Sequence, residues 1–359
     1  MNTRLRRVKT YLKENALDAM YLASYESYRY YSGFSGSNGH LVITSNQNLL
    51  VTDGRYLQQS AEQAPDFQVV DQRRSLFDAL SDILKEQNVR RVGYETMKLT
   101  DYTVRMLREA CPGVEWVPQE NFGLYSRMRK DAEEIARIEK AVEIADRALE
   151  ELAGCLAPGM TERQAAAELE YRMASHGSER PAFETISASG PRGALPHGAP
   201  TDRVIQEGEL LTLDFGACYQ GYLSDITRTL WFGEPPAELV RIWNVVLEAQ
   251  QAAEQAVRPG ICAGELDEIH RRVIAGHGLE AYIAHSLGHG VGLEIHEEPR
   301  IGSSSTTVLE PGMIITIEPG LYIPELGGVR IEDMMLVTQT GGRVLTQSPH
   351  LIRIPVSGE

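Results

Sequence analysis

An internal repeat is the feature that most constrains the fold of this chain. The segment 156–177, LAPGMTERQAAAELEYRMASHG, resembles the segment 257–278, VRPGICAGELDEIHRRVIAGHG, and their Pro-Gly and His-Gly pairs match at an offset of 101 residues. Each copy has the apolar spacing of an amphipathic helix. Two such helices can resemble each other by chance, so the repeat needs support from a second matching segment.

A strand-like segment that ends in a carboxylate supplies this second match after each copy. Gly208 precedes LLTLD, which ends at Asp214, and Gly312 precedes MIITIE, which ends at Glu318. The repeat therefore predicts two related α/β halves, each a helix followed by a strand, that build one site at their interface.

Each of these carboxylates has a second one downstream. Asp225 follows Asp214 by 11 residues in YLSDITRTL, and Glu332 follows Glu318 by 14 residues in GGVRIEDMML. A turn-rich stretch separates the members of each pair, so antiparallel strands can bring both to one face. A salt bridge is the simpler explanation for any one buried carboxylate. Four in matched contexts favour a shared site instead, because unpaired buried charge is costly.

Histidines cluster between the carboxylates. HSLGHGVGLEIHEEP contains His285, His289 and His296, and GALPHGAP contains His197. The spacing of His285 and His289 suits a helical metal pair, but the interleaved glycines favour a strand or loop. Those glycines would also let the backbone approach a crowded metal or substrate.

Four carboxylates and an imidazole suit a pair of divalent cations. Such a pair can lower the pKa of a shared water to about 7. The oxygen-rich donor set favours Mn²⁺, with Co²⁺ and Zn²⁺ left open.

The chain divides by pattern into residues 1–124 and 125–359. Short helices and strands alternate in the first part, and a long amphipathic helix opens the second. Asp131 is placed to cap this helix, with Glu134 three residues later. In the first part, an apolar run covers Ala19–Leu22, and His40–Thr44 and Leu49–Thr52 are strand candidates. The same alternation continues around Gln87–Val92 and Glu115–Val117.

Charge and composition exclude several classes of protein. A net charge of −15 argues against nucleic acid or an anionic membrane as partner. The most apolar windows are too short to cross a bilayer. The four cysteines form no CxxC motif and are interpreted as reduced thiols. With no export signal recognised near the first residue, we expect a cytoplasmic protein.

These motifs resemble the Xaa-Pro peptidases, which comprise prolidase (Xaa-Pro dipeptidase) and aminopeptidase P. The resemblance covers nearly the whole chain, and YYSGFSGSNG and VTDGRY are similar to the family's N-terminal domain. It implies an α/β (α+β) fold: a C-terminal pita-bread catalytic domain with a pseudo-twofold duplication, preceded by a smaller creatinase-like α/β domain. By the resemblance, the metal ligands are Asp214, Asp225, His289, Glu318 and Glu332.

The resemblance also implies a reaction, hydrolysis of the peptide bond before proline. Glu318 would take a proton from the nucleophile, and His197 and His296 would donate hydrogen bonds to the reacting carbonyl. His285, Arg300 and Arg330 are the further substrate-binding candidates.

Two of these candidates are arginines that could hold a free carboxylate through paired hydrogen bonds. Arg300 matches a position where some prolidases carry an arginine for this purpose. Arg330 shares a predicted strand face with Glu332, so we expect it to support that ligand by a salt bridge.

Xaa-Pro dipeptides are the expected substrates, and a homodimer is implied by the resemblance. The nearest alternative is an aminopeptidase P that acts on longer peptides. A non-catalytic binding module and a creatinase-like hydrolase are disfavoured by the complete ligand set. Methionine aminopeptidase is disfavoured by the extra N-terminal domain.

Overall fold

The structure is a computed structural model and describes residues 3–73, 75–120, 122–157 and 159–355. It divides into two compact units, Met1–Ser126 and Arg127–Glu359. No helix in these described ranges is both long enough and apolar enough to cross a membrane.

The first unit is built on a mixed sheet flanked by helices. Its elements are α1 (Thr3–Glu14), β1 (Ala19–Leu22), α2 (Tyr25–Ser32), β2 (His40–Thr44), β3 (Asn48–Thr52), α3 (Leu57–Gln63), β4 (Gln68–Asp71), α4 (Leu76–Glu86), β5 (Arg91–Glu95), α5 (Asp101–Ala110), β6 (Glu115–Gln119) and α6 (Phe122–Met128), which reaches into the second unit. The six strands lie in the order β4-β3-β2-β1-β5-β6. Side chains of α4 and α5, such as Leu80 and Leu107, pack with sheet residues such as Val51 and Val92 in one core.

The second unit holds two larger sheets and two two-stranded ones. Its helices are α7 (Ala132–Ala153), α8 (Glu162–Ser175), α9 (Ala237–Ala256) and α10 (Ala263–Gly276), with 3₁₀ turns at Gly190–Ala194 and Glu280–Tyr282. Its strands are β7 (Ile186–Ser189), β8 (Leu210–Phe215), β9 (Cys218–Tyr219), β10 (Tyr222–Leu223), β11 (Ile226–Phe232), β12 (Gly288–Gly290), β13 (Glu297–Ile301), β14 (Ile314–Ile317), β15 (Gly320–Ile323), β16 (Gly327–Arg330), β17 (Asp333–Val337), β18 (Gly342–Val344) and β19 (Arg353–Ile354).

The helix that opens this unit begins as its sequence predicts. The Asp131 side chain accepts from the backbone N–H groups of Glu133 and Glu134, and the Glu134 carboxylate accepts from the Asp131 N–H. This capping box satisfies N–H groups that a helix start otherwise leaves open. Ile138, Val142 and the later apolar residues at helical spacing then bury one face of α7.

The two halves predicted from the repeat have matching elements. Helices α8 and α10 begin and end at an offset of 101 residues. After α8, β8 pairs antiparallel with β11, and after α10, β14 pairs antiparallel with β17. The sheet orders are β19-β11-β8-β7 and β13-β12-β14-β17-β18. Pro158, part of the first repeated Pro-Gly pair, lies outside the described residues.

Candidate metal centre

The first carboxylate pair comes from one antiparallel hairpin. Asp214 lies on β8 opposite Thr227 of β11, and Asp225 lies directly before β11. The Asp225 side chain is buried, and its backbone N–H faces the Met334 sulfur at 3.1 Å. The strand pairing therefore brings both carboxylates to the same end of the hairpin.

The second pair occupies the equivalent place in the other half. Glu318 directly follows β14, and Glu332 directly precedes its partner β17. The Glu332 N–H donates to the Thr227 carbonyl oxygen at 3.1 Å, which ties the two halves together. The hairpins thus deliver four carboxylates from matched positions, as the repeat predicts.

His289 lies between the two pairs, on β12. Its Nε2 is 3.6 Å from Asp225 Oδ2 and 3.3 Å from Glu318 Oε1. Ligand atoms of Asp225, His289 and Glu332 all lie within 4.8 Å of one another. Its Nδ1 lies 3.0 Å from the Gly290 carbonyl oxygen, which can only accept, so Nδ1 carries a proton. Burial opposes the charged ring, but the hydrogen bond to Glu318 and its charge outweigh burial and raise the pKa of His289. Loss of the Nε2 proton would leave a lone pair directed at the carboxylates, as a metal ligand requires.

Electrostatics within the cluster favour a bound cation. Burial raises the pKa values of Asp225 and Glu332 well above their ordinary range, and repulsion from the neighbouring carboxylates adds to the shift. Burial also raises the pKa of Asp214. It opposes ionisation of Glu318 as well, but the hydrogen bond and charge of His289 outweigh it and lower this pKa to about 2. Divalent cations would relieve the repulsion among these groups.

One buried oxygen in the cluster has no partner among the described atoms. Asp214 Oδ2 is bound by Arg330 at 2.5 Å, whereas its Oδ1 is buried without a hydrogen bond. Buried polar atoms are normally satisfied, so an orphaned carboxylate oxygen here is what an absent cation would leave. The donor set, carboxylate oxygens with one imidazole nitrogen, fits hard or intermediate divalent metals.

Arg330 supports the carboxylate cluster, but it forms its ion pair with a different carboxylate from the one expected. Its side chain is only 4% exposed, and its salt bridge is to Asp214 rather than to Glu332. It reaches Glu332 only indirectly: Arg330 Nε donates to Thr227 Oγ1 at 3.1 Å, and that hydroxyl donates to Glu332 Oε2 at 2.7 Å. The expected strand face fails because β16 and β17 belong to different sheets, so alternation does not continue from Arg330 to Glu332.

His285 lies outside the metal cluster and forms a hydrogen-bonded chain. Its Nδ1 is 2.8 Å from the Ser286 carbonyl oxygen, and its Nε2 is 2.7 Å from the Tyr322 hydroxyl. Since that carbonyl accepts, Nε2 of a neutral ring accepts from Tyr322, which itself accepts from Arg330 at 2.7 Å. Burial lowers the pKa of His285, consistent with the neutral ring.

The remaining predicted histidines lie at the exposed side of the cluster. The exposed ring of His296 packs edge-on against the His289 ring, with centroids 4.4 Å apart. Burial and the charge of His289 lower the pKa of His296. His197 is exposed in the turn after Gly190–Ala194, close enough for its charge to depress the pKa values of His285 and His296.

Arg300 lies beside a polar cavity of about 260 Å³. Its side chain is exposed, and the cavity is also lined by His285 and Arg271. The serines Ser286, Ser303 and Ser304 complete the polar lining. Arg271, which the sequence did not single out, is held by Asp267 at 2.6 Å and donates to the His285 carbonyl oxygen.

The glycines around His289 are in close contact with neighbouring protein groups. A Cβ atom at Gly288 would lie 2.2 Å from the Thr316 carbonyl oxygen, and one at Gly290 would lie 2.4 Å from that of Glu298. At Gly292 it would meet the Glu297 carboxylate at 2.5 Å. These positions therefore require glycine because neighbouring protein groups approach them closely.

Comparison with known proteins identifies the family to which the chain belongs. Residues 136–339 match the model of metallopeptidase family M24, and residues 4–130 match the creatinase/prolidase N-terminal domain. An Xaa-Pro dipeptidase from Pyrococcus furiosus is 42% identical over 97% of this chain and 99% of its own length.

Two solved structures are similar to this chain over nearly its whole length. An Xaa-Pro dipeptidase from Bacillus anthracis superposes with a TM-score of 0.95 at 39% identity, over 98% of this chain and 99% of that one. An X-Pro aminopeptidase from Thermotoga maritima superposes with a TM-score of 0.91 at 35% identity, over 98% and 99%. Taken with the two-hairpin cluster and the N-terminal domain match, these likenesses establish that the chain is a member of metallopeptidase family M24 with the pita-bread fold.

Proposed function

We propose that this metallopeptidase is an Xaa-Pro dipeptidase that hydrolyses the peptide bond before proline. The observation that carries the proposal is the convergence of Asp225, Glu318 and Glu332, from matched hairpin ends, around His289 of β12, and Arg330 binds the fourth carboxylate, Asp214. The names of the relatives from Pyrococcus furiosus and Bacillus anthracis support the choice of substrate.

Family membership implies divalent metal ions, and the five residues named above would hold them. When bound, a pair of such ions supplies Lewis acidity that polarises the scissile carbonyl and lowers the pKa of water. We propose Mn²⁺ as the physiological ion because carboxylate oxygens dominate the donor set, with Co²⁺ and Zn²⁺ as the alternatives.

The chain's own groups have distinct tasks in this proposal. Glu318, whose Oε1 lies 3.3 Å from His289 Nε2, would accept a proton from the attacking water. His296, packed against His289, and His197, in the turn nearby, donate hydrogen bonds to the carbonyl oxygen as negative charge develops on it. His285 fixes Tyr322 at the edge of the same site.

Metal dependence tests this function directly. Asp225→Ala and Glu332→Ala should each abolish most hydrolysis of an Xaa-Pro dipeptide while the circular dichroism spectrum stays native. Metal content, measured by mass spectrometry on the purified proteins, should fall in parallel. Full turnover by protein verified to be free of metal would refute the proposal.

Dipeptide selectivity is assigned to Arg300. A dipeptidase must hold the free carboxylate of the C-terminal proline, and the cavity beside Arg300 and Arg271 offers two guanidinium groups for that purpose. Arg300→Ala should raise KM for Xaa-Pro while sparing Xaa-Pro-Xaa peptides. Arg272→Ala, an exposed arginine on α10 that does not line this cavity, is the matched control.

The second candidate function is an aminopeptidase P-type activity on longer peptides. It is favoured by the likeness to the Thermotoga maritima X-Pro aminopeptidase. This second function would be supported if Arg300→Ala lost activity equally on Xaa-Pro and Xaa-Pro-Xaa peptides and if the wild-type protein cleaved Xaa-Pro-Xaa more efficiently.

We further propose a cytoplasmic homodimer with domains at 1–124 and 125–359. All four cysteines are unpaired, which suits a reducing compartment. Cell fractionation tests the compartment, light scattering tests the oligomer, and limited proteolysis tests the boundary.

A further inference from the structure

A buried carboxylate outside the metal cluster gathers an unusual number of hydrogen bonds. Glu162 is the first residue of α8, and its side chain is 0% exposed. Its Oε1 accepts from the Ser189 N–H at 2.8 Å and the Ser189 hydroxyl at 2.9 Å. Its Oε2 accepts from the Thr201 N–H at 3.1 Å and the Thr201 hydroxyl at 2.7 Å.

These two partners are the ends of one segment. The segment 189–201 begins at the end of β7 and contains the turn that carries His197. One carboxylate thus pins both ends of the loop that presents a proposed catalytic histidine. The backbone reinforces the attachment, because the Arg163 N–H donates to the Thr201 carbonyl oxygen at 3.0 Å.

The middle of the same segment is attached to the hairpin that carries Arg330. A Cβ atom at Gly328 would lie 2.1 Å from the Gly193 carbonyl oxygen, so the two backbones are in close contact there. The Pro196 carbonyl oxygen accepts from Arg330 Nη1 at 3.1 Å. His197, the next residue, is therefore located by Glu162 at the segment ends and by the Arg330 hairpin at its centre.

We propose that Glu162 is a positioning residue that sets the place of His197 relative to the metal cluster. The proposal rests on the proposed function, because it assigns to the segment a catalytic purpose through His197. A carboxylate is required chemically. Both oxygens receive two donors each, whereas a glutamine would turn its NH₂ group toward donors at one end. The Arg192 guanidinium, with Nε 3.4 Å from Oε2, compensates the buried charge.

Hydrogen–deuterium exchange of the metal-loaded full chain tests the anchoring without using activity. In Glu162→Gln, the peptide that spans 189–201 should exchange at least ~10-fold faster, since the amide oxygen can accept at only one end and the N–H group of Ser189 or of Thr201 loses its acceptor. Glu168→Gln is the matched control on the same helix, because Glu168 pairs with Arg172 and not with this segment. Unchanged exchange in Glu162→Gln would overturn the proposal.

Kinetics then test the purpose of the anchoring. We expect kcat for an Xaa-Pro dipeptide to fall ~10-fold to ~10²-fold in Glu162→Gln, since small displacements of a catalytic group are costly. Metal content and KM should stay close to wild type. In the His197→Ala background, the same substitution should lower kcat by less than ~2-fold, because the group it positions is gone.

The outcomes separate this proposal from the proposed function. Full turnover by His197→Ala would refute the catalytic role of His197 and the positioning role with it. Loss of turnover in His197→Ala but not in Glu162→Gln would refute the positioning role alone. Independent, multiplicative losses, or a loss of metal from Glu162→Gln, would also overturn it, since either indicates a general structural role.

A milder pair of variants covers the case in which Glu162→Gln fails to fold. Thr201→Val removes one of the four hydrogen bonds, and Thr201→Ser keeps it. Faster exchange of the segment and lower kcat in Thr201→Val, both restored in Thr201→Ser, would support the proposal. Equal behaviour of the two variants would overturn it.

Discussion

Thr227 joins the two halves of the site through one hydroxyl group. It accepts from Arg330 and donates to Glu332, so it orients a proposed ligand and the arginine that holds Asp214. Partners that orient metal ligands in this way matter almost as much as the ligands themselves. Its side chain is fully buried, which leaves no water to replace the hydroxyl.

Replacement of this hydroxyl should therefore weaken metal binding without unfolding the chain. Thr227→Val keeps the shape, and we expect the metal affinity to fall about 10-fold to 100-fold. Calorimetric titration of the metal-free protein measures it. The control is Thr212→Val on the neighbouring strand β8, whose hydroxyl contacts Thr229 instead. Equal affinities in wild type and Thr227→Val would contradict the prediction.

Substitutions of His296 and His289 should distinguish a residue that acts in catalysis from one that binds metal. Removal of a hydrogen-bond donor to the developing charge typically costs about 10²–10³-fold in kcat. His296→Ala should show that loss with its metal content intact. His289→Ala should lose metal, since its Nε2 faces the carboxylates. If His296→Ala lost metal instead, His296 would be a ligand.

The contacts around Arg330 mark the limit of sequence reasoning at the residue scale. The carboxylates could be predicted because each lies at or next to the end of a recognisable strand. The partner of Arg330 could not, since Asp214 is separated from it by 116 residues and the pairing depends on how two sheets meet. A role for Tyr322 could not be predicted either, because nothing in its local sequence distinguishes it from a core tyrosine.

Strand β12 shows why glycine is needed at the element scale. It lies between β13 and β14, and Gly288 is in close contact with Thr316. The Thr316 hydroxyl accepts from the His289 N–H at 3.1 Å and donates to Glu318 Oε1 at 3.2 Å. The separation of β12 from β14 thus sets the distance between two proposed ligands.

A methyl group at Gly288 should disturb both stability and the site. Gly288→Ala would place Cβ 2.2 Å from the Thr316 carbonyl oxygen, so the strands must separate. Overpacking of this kind costs about 1–3 kcal/mol in the free energy of unfolding. Denaturant titration measures that cost, and metal content should fall as well. Gly276→Ala, where the added Cβ meets open space, should be neutral or stabilising; equal effects at both positions would contradict the argument.

Element boundaries were predictable where local chemistry decides them. β2 has the expected bounds, β1 coincides with the apolar run Ala19–Leu22, and the Asp131 capping box starts α7 as its spacing indicates. Of the six residues Gln87–Val92, where the alternation indicated a strand, only the last two lie in one. Helix α4 ends at Glu86, Asn88 adopts a left-handed conformation with φ 51°, and β5 begins only at Arg91. The apolar residues in this region belong partly to the end of a helix and partly to the start of a strand. Hydrophobic periodicity over so short a stretch cannot show where one ends and the other begins.

At the scale of the whole molecule, one carboxyl group should give the stability a distinct pH dependence. Burial, with the charge of Asp333 added, raises the pKa of Glu254 to about 8 from an ordinary value of 4.5. The folded state then holds a proton that the unfolded chain releases more easily. The resulting stabilisation is complete below pH 4.5 and is lost as the pH rises toward 8.

Glu254→Gln removes this group, so its stability relative to wild type should rise between pH 4.5 and pH 8. Denaturant unfolding at pH 5 and pH 8.5 measures the difference. Glu238→Gln on the same helix should leave the difference from wild type unchanged between these two pH values, because the hydrogen bond from Arg241 lowers the pKa of Glu238 and confines its contribution to pH values below the ordinary 4.5. If the free energy of unfolding had the same pH dependence in wild type and Glu254→Gln, the folded protein would not hold a proton on Glu254.

Metal removal should destabilise the two units unequally. All five proposed ligands lie in the unit Arg127–Glu359, and they come from both of its halves, so bound metal crosslinks those halves. At 100 times the dissociation constant, bound metal adds about 2.7 kcal/mol, which for a unit of this size raises the unfolding midpoint by about 5–10 °C. Scanning calorimetry with and without chelator measures this effect. The chelator should lower the unfolding temperature of Arg127–Glu359 and leave that of Met1–Ser126 unchanged. Asp225→Asn, which removes a ligand's charge, should make the transition of Arg127–Glu359 insensitive to chelator. Equal shifts of both transitions would place the metal outside the two-hairpin cluster.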